Sequence, residues 1–288
     1  RYGPNQYFNT IDVFSIDRME VLRGSGSVQY GSDALGGTIQ AFSHELVNSE
    51  RGIWGGNLVA RLASRDMEKS LRSGISYTNR YSAFKSGITW RDFGDITGGD
   101  TTGRQGPSGY KELDYDFKGK IVLSPRTSLT ALYQSVNQSD VPVYHKLLLE
   151  NYAVNKTDPQ NRRLSYLKLN QDLDAGILES AVLTASHQIT QEGRESRKNG
   201  SDISRNECDK VRSLGFSAEL LASDRKTWSG NIGFEVYSDM VKSSRTDTDL
   251  QTGSVTVKRG LYPDGSTMNS LALFTLHSLD LQKWNITA

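Results

Sequence analysis

The 288-residue chain holds few side chains able to do covalent chemistry, and their spacing matches no catalytic arrangement. Gly24 and Gly26 lack the third glycine of a dinucleotide-binding loop, and there is no Gly-Lys-Ser/Thr phosphate loop. No Gly-x-Ser-x-Gly elbow and no His-Glu-x-x-His pair occurs. The single cysteine, Cys208, lies in the polar stretch Arg205–Lys210, with no second thiol in the chain and no metal-ligand cluster around it. Gly98-Gly99-Asp100-Thr101-Thr102-Gly103 offers oxygens without the ligand spacing of a calcium loop, and reads as a solvated loop tip. What remains is chemistry of recognition. Tyr144 and His145 fall in a long polar segment. His187 and His277 fall on strand-like runs, and His44 in a linker. Near the start, Tyr2, Asn5, Gln6 and Tyr7 bring together aromatic and amide groups suited to a polar, ring-containing ligand. No catalytic residue, metal centre or resident cofactor is implied.

The elements that must position these residues follow from composition and period. The formal net charge is +1, from 34 basic and 33 acidic side chains, a balance that argues against a nucleic-acid partner. Hydrophobic residues make up 36%, and no run approaches the ~20 apolar residues of a spanning helix. A transmembrane β-barrel stays open, because its strands alternate lipid-facing with lumen-facing side chains and average out as polar. From about residue 51 the apolar pattern has period two. Tyr115, Phe117, Ile121 and Leu123 fall on one face of their run, and Asp114, Asp116, Lys118 and Lys120 on the other. Leu58, Ala60 and Leu62 repeat the pattern, as do Phe84, Ile88 and Trp90, and Ile232, Phe234 and Val236. Each run is about 9–12 residues, the length of a tilted strand crossing a bilayer.

Connections alternate in length. Long polar segments are expected at 93–112, 139–161, 190–210 and 239–266, and short turns near 124–126, 172–176, 223–226 and 278–282. Long loops confined to one end distinguish an outer-membrane barrel from a soluble sandwich. The pattern predicts about eleven antiparallel strands, an open sheet whose closure needs strands beyond these.

Residues 1–45 have a different texture. Ser15-Ile16-Asp17-Arg18-Met19-Glu20-Val21-Leu22-Arg23-Gly24, then Val28-Gln29-Tyr30-Gly31 and Ala34-Leu35-Gly36-Gly37-Thr38-Ile39, resemble the plug signature of TonB-dependent outer-membrane receptors. Ser25 stands where proline is usual, and Met19 and Leu35 where isoleucine is. The resemblance implies an all-β transmembrane barrel, incomplete at about eleven of about twenty-two strands, with part of an N-terminal α/β plug. It divides the chain into 1–45, the C-terminal part of the plug, and 46–288, the N-terminal half of the barrel.

The function so implied is TonB-dependent import of a scarce ligand across the bacterial outer membrane. The implied partners are the TonB-ExbB-ExbD complex, an extracellular iron chelate or haem, and outer-membrane lipid. Tyr2, Asn5, Gln6 and Tyr7 would lie near the upper surface of the plug. Asp140-Val141-Pro142-Val143-Tyr144-His145 resembles the Asp-Val-Pro-x-Tyr motif of haem receptors, making Tyr144 and His145 candidate ligand contacts. Plug arginines of the family pair with glutamates of the wall; Arg23 and Glu235 are the candidate lock, with solvated or local pairing as the alternative. Ferric siderophore, haem or haemoprotein, cobalamin and saccharide remain open as cargo. A passive porin or adhesin barrel is the competing class, separable by whether the upstream sequence holds an energy-coupling box and the first half of a plug.

Overall fold

The computed structural model describes residues 8–24, 36–223, 227–281 and 283–287. Two short 3-10 turns, Phe8–Thr10 and Val13–Ser15, lead into an antiparallel pair, β1 (Ile16–Arg23) and β2 (Gly37–Ser43). All the remaining described strands except Ile96–Thr97 and Arg104–Gln105, which pair with each other, belong to one antiparallel wall. Its path in sequence order is β3 (Ile53–Ala63), β4 (Glu68–Thr78), β5 (Ser82–Phe93), β8 (Tyr110–Ser124), β9 (Thr127–Ser139), β11 (Tyr152–Ala175), β12 (Leu178–Lys198), β13 (Ile203–Ser223), β14 (Trp228–Asp249), β16 (Thr267–Asp280) and β17 (Asn285–Thr287). The connections carry β6 (Ile96–Thr97), β7 (Arg104–Gln105), β10 (Val141–Pro142), α1 (Tyr144–Leu149) and β15 (Val255–Lys258). No helix is long and apolar enough to cross a membrane among the described residues.

The wall is inside-out compared with a water-soluble sheet. Leu58, Leu62, Leu71, Ile88, Trp90, Leu113, Phe117, Phe216, Phe234, Leu271 and Leu273 are exposed on one face. On the other face Ser70, Arg72, Thr89, Arg91, Glu112, Asp114 and Gln138 are buried. Period-two alternation gives this split directly, since a strand sends successive side chains to opposite faces. An apolar face this continuous is stable only where its solvent is itself apolar, as in a bilayer.

Two of the expected short turns lie where the sequence pattern places them, with β8 and β9 meeting around Pro125, and β11 and β12 at Gly176, whose φ is 67°; the turn expected at 223–226 falls mostly outside the described residues, and 278–280 is strand. The long segments differ. The stretch 190–210 is almost entirely β12 and β13, joined by a tight turn at Gly200, and 152–161 and 239–249 are strand as well. Strands β11 to β14 thus run 21 to 24 residues, well past the span of a bilayer. Their outer halves alternate polar with charged residues and are held by ladder hydrogen bonds and cross-strand ion pairs such as Arg194–Asp209. The lack of an apolar face there hides strand from a reading based on hydrophobic alternation.

Candidate functional site

The first described turns pack against the inner face of the wall, with the Asp12 carboxylate at the centre of the contact. Asp12 caps the turn Val13–Ser15, accepting from the Phe14 backbone N–H at 2.9 Å. Its other contacts are to the wall. Arg72 on β4 donates to Asp12 Oδ2 at 3.0 Å, Thr89 on β5 donates to the same oxygen at 2.6 Å, and Arg91 on β5 forms an ion pair with Oδ1. The network continues into the wall, where Arg91 donates to Glu112 on β8 at 2.8 Å and Arg72 lies 2.7 Å from Asp116. Gln138 on β9 bridges Glu112 at 2.7 Å and the Asn9 carbonyl at 2.6 Å. Asp12, Arg72, Arg91 and Glu112 are each nine-tenths or more buried, so the attraction is little screened and each charge depends on its partners. The Arg91 guanidinium also lies 4.9 Å from the centre of the Phe14 ring. Lower down, Lys118 on β8 donates to Ser43 Oγ at 3.1 Å and the His44 carbonyl at 2.9 Å, tying the end of β2 to the wall.

Above this anchor is a vestibule with a cavity volume of about 290 Å³. Asn9 belongs to its floor. One side is α1 and β11, with His145, Lys146, Tyr152 and Gln160, and the other is the extended parts of β12 and β13, with Glu192, Arg194, Glu207 and Asp209. Leu261 and Tyr262 enter from the connection between β14 and β16. A hub places them: Ser243 Oγ donates to Asp209 and accepts from the Tyr262 backbone N–H at 3.1 Å, while the Ser243 N–H donates to Asp264 at 3.0 Å. The lining mixes both charges with two aromatic rings, a surface that recognises a polar or amphipathic ligand. Among the described residues no group of three or more His, Cys, Asp or Glu side chains is arranged to hold a metal ion.

Outside the wall the acids are tied into loops. Asp140, at φ 53°, accepts from Lys156 at 2.6 Å, and that ammonium holds its carboxyl below the usual range. Asp95 accepts from the backbone N–H groups of Ser108 at 2.8 Å and Gly109 at 3.1 Å. These two bonds, aided by Arg104, lower its pKa and close the connection between β5 and β8.

The candidate residues separate on this geometry. His145 is exposed and lines the vestibule, whereas its neighbour Tyr144, half-buried at the start of α1, does not. Tyr2, Asn5, Gln6 and Tyr7 lie outside the described residues. Arg23 is exposed on β1, Glu235 is half-buried on β14, and no ion pair joins them among the described residues. The ion pairs from the first described turns to the wall are made by Asp12 instead. Sequence reasoning missed Asp12, Arg72, Arg91 and Glu112; the signal available was the inward parity of Arg72, Arg91 and Glu112 on their strands.

Residues 1–38 match the family described as TonB-dependent Receptor Plug Domain. No curated protein sequence matches the chain. Among solved structures it resembles the copper transporter OprC, at 12% identity and a TM-score of 0.75, with 95% of this chain and 42% of that one covered. The ferric enterobactin receptor PfeA gives 14% identity and a TM-score of 0.68 over 97% and 46% of the two chains. The siderophore receptor PirA from Acinetobacter baumannii gives 16% and 0.66 over 96% and 43%. At such identities the likeness is one of fold. The chain spans less than half the length of each of these structures.

Proposed function

We propose that this chain, whose residues 1–38 match the plug family and whose fold resembles outer-membrane receptor structures, is part of a TonB-dependent receptor that actively imports a scarce iron source, a ferric siderophore or haem. In this reading 1–45 belong to the plug and 46–288 to the barrel. The long-loop end captures ligand between α1, the extended strands and the plug apex. The inner-membrane proton gradient, acting through TonB with ExbB and ExbD, then moves the plug. The observation that carries the reading is the stacking of the vestibule directly over the Asp12 anchor, with Asn9 belonging to both. A ligand seated on Asn9 touches the element that must shift for passage.

Iron is favoured as cargo by the siderophore and ferric-enterobactin receptors among the structural relatives. Haem is favoured by His145, which lines the vestibule next to Tyr144. Binding of the purified full-length receptor to haemin and to a panel of ferric siderophores, compared with Tyr144→Ala and His145→Ala, separates them. A haemin affinity that falls at least about tenfold in His145→Ala makes this segment a haem contact. Siderophore binding indifferent to both substitutions removes haem and assigns contact to the vestibule walls and Tyr2, Asn5, Gln6 and Tyr7. Binding of none of these compounds overturns the iron reading and leaves cobalamin or saccharide.

A further inference from the structure

One buried acid beside the Asp12 anchor lacks a donor. Asp114, on β8 between Glu112 and Asp116, is 1% exposed, and neither of its carboxyl oxygens receives a hydrogen bond among the described residues. Its ladder neighbours are Thr89 on β5 and Val136 on β9. The Thr89 hydroxyl donates to Asp12 at 2.6 Å, and the Val136 side chain has no proton to give. Arg91 commits Nη1 to Glu112 and Nη2 to Asp12, and in that orientation its Nε finds no acceptor. What Asp114 meets is a second acid, because its carboxyl lies within hydrogen-bonding reach of Glu112. Glu112 already accepts from Arg91 on one oxygen and from Gln138 on the other.

The charges around Asp114 do not balance. Glu112 and Asp116 flank it on β8, with Tyr110 beyond, and the first described turns bring Asp12. The cations are Arg72 of β4 and Arg91 and Lys85 of β5. The facing positions of β9 are Gln134, Val136 and Gln138, none of them ionisable. Four carboxyl groups thus meet three cations, and Lys85 is shared with Asp17 as well. Two buried carboxyl groups in contact do not both ionise without a cation between them. One proton on Asp114 removes the excess charge and supplies the missing hydrogen bond, with its O–H donating to Glu112. Glu112 is the ionised member of the pair, since both its oxygens serve as acceptors.

We propose that Asp114 is a proton-holding site in the joint between plug and wall, neutral and hydrogen-bonded to Glu112 while the plug is docked, and ionised when Asp12 withdraws. The departure of Asp12 frees the Arg91 guanidinium to turn toward Asp114. The Asp114 O–H bond then breaks, its proton passes to water entering the gap, and the carboxylate pairs with Arg91. The proposal rests on the reading that the plug shifts during import and not on the cargo. Infrared spectra of the purified full-length receptor near neutral pH should show the carbonyl stretch of a protonated carboxylic acid. That band should move when aspartate is isotopically labelled and should be missing from Asp114→Asn, whose amide has the shape of the neutral acid and an N–H for Glu112. Undocking is read by amide exchange over residues 8–15, corrected for the intrinsic rate. The docked joint holds one more proton, so in wild type opening should grow up to about tenfold per pH unit between about pH 6 and about pH 8. In Asp114→Asn it should stay level, and a histidine such as His44 contributes equally to both proteins and cancels. Absence of a label-sensitive acid band in wild type overturns the site with no variant needed. A band unchanged in Asp114→Asn, or the same pH slope in both proteins, equally overturns it. Uptake that does not need TonB, with the Asp114 band present, counts against import alone, and TonB-dependent uptake without the band counts against this site alone.

Discussion

Asp12 meets two arginines from neighbouring wall strands, and its burial leaves water unable to replace either contact. Substituting Asp12→Ala takes from Arg72 and Arg91 one of the two carboxylates each meets, leaving them on Asp116 and Glu112, at a cost of about 1–3 kcal/mol in the joint between plug and wall. The expected result is a lower unfolding midpoint for the full-length receptor and greater sensitivity of cells to large antibiotics that pass an open lumen. Asp12→Asn, which keeps an acceptor for Thr89, should fall between. An unchanged midpoint in both variants would mean that the ion pairs contribute nothing net. The wall half of this joint was legible, since period two turns Arg72 and Arg91 inward with Glu112. The plug half was not: Asp12 lies 60 and 79 residues before its partners, and no local pattern reports a pairing over that distance. The plug signature directed attention to Arg23, which sits on an exposed strand instead.

At the level of elements, the extended halves of β11 to β13 line the vestibule, and hydrophobic alternation reads them as loops because their pattern is polar with charged rather than polar with apolar. The ladder and its ion pairs replace the apolar face as the source of order. Arg194→Ala leaves Asp209 buried without its guanidinium and loosens the Ser243 hub that sets Tyr262 in the vestibule. Cargo affinity should drop about tenfold or more while the barrel keeps its unfolding midpoint, the reverse of the Asp12 result. A variant with unaltered affinity would remove the hub from recognition. The connection between β5 and β8 adds a pH dependence. Asp95 is held below its ordinary value of 3.8 by the Ser108 and Gly109 N–H groups. Its contribution is therefore fully present above that value and is lost as pH falls through the lower folded value. Amide exchange at Ser108 and Gly109, corrected for its intrinsic rate, should stay protected at pH 5 and lose protection only well below the ordinary value. Loss of protection already near neutral pH would contradict the assignment.

On the scale of the whole molecule, the architecture was the most legible feature, because it follows from two signals that hydrophobic physics imposes everywhere: one apolar face per strand and short turns at one end. Leu113, Phe117 and Ile121 face outward, and Glu112 and Asp114 inward, as alternation requires. Cargo identity was the least legible, since the vestibule assembles Asn9, His145, Arg194 and Tyr262 from four distant parts of the chain. The central claim is that this wall and plug serve active import and not passive diffusion. It is tested most directly by uptake of radiolabelled iron, as haemin and as ferric siderophores, into cells producing the full-length receptor, with and without TonB and with the proton gradient collapsed. The account predicts accumulation that needs both TonB and the gradient. Accumulation at the same rate without either would make the protein a passive channel.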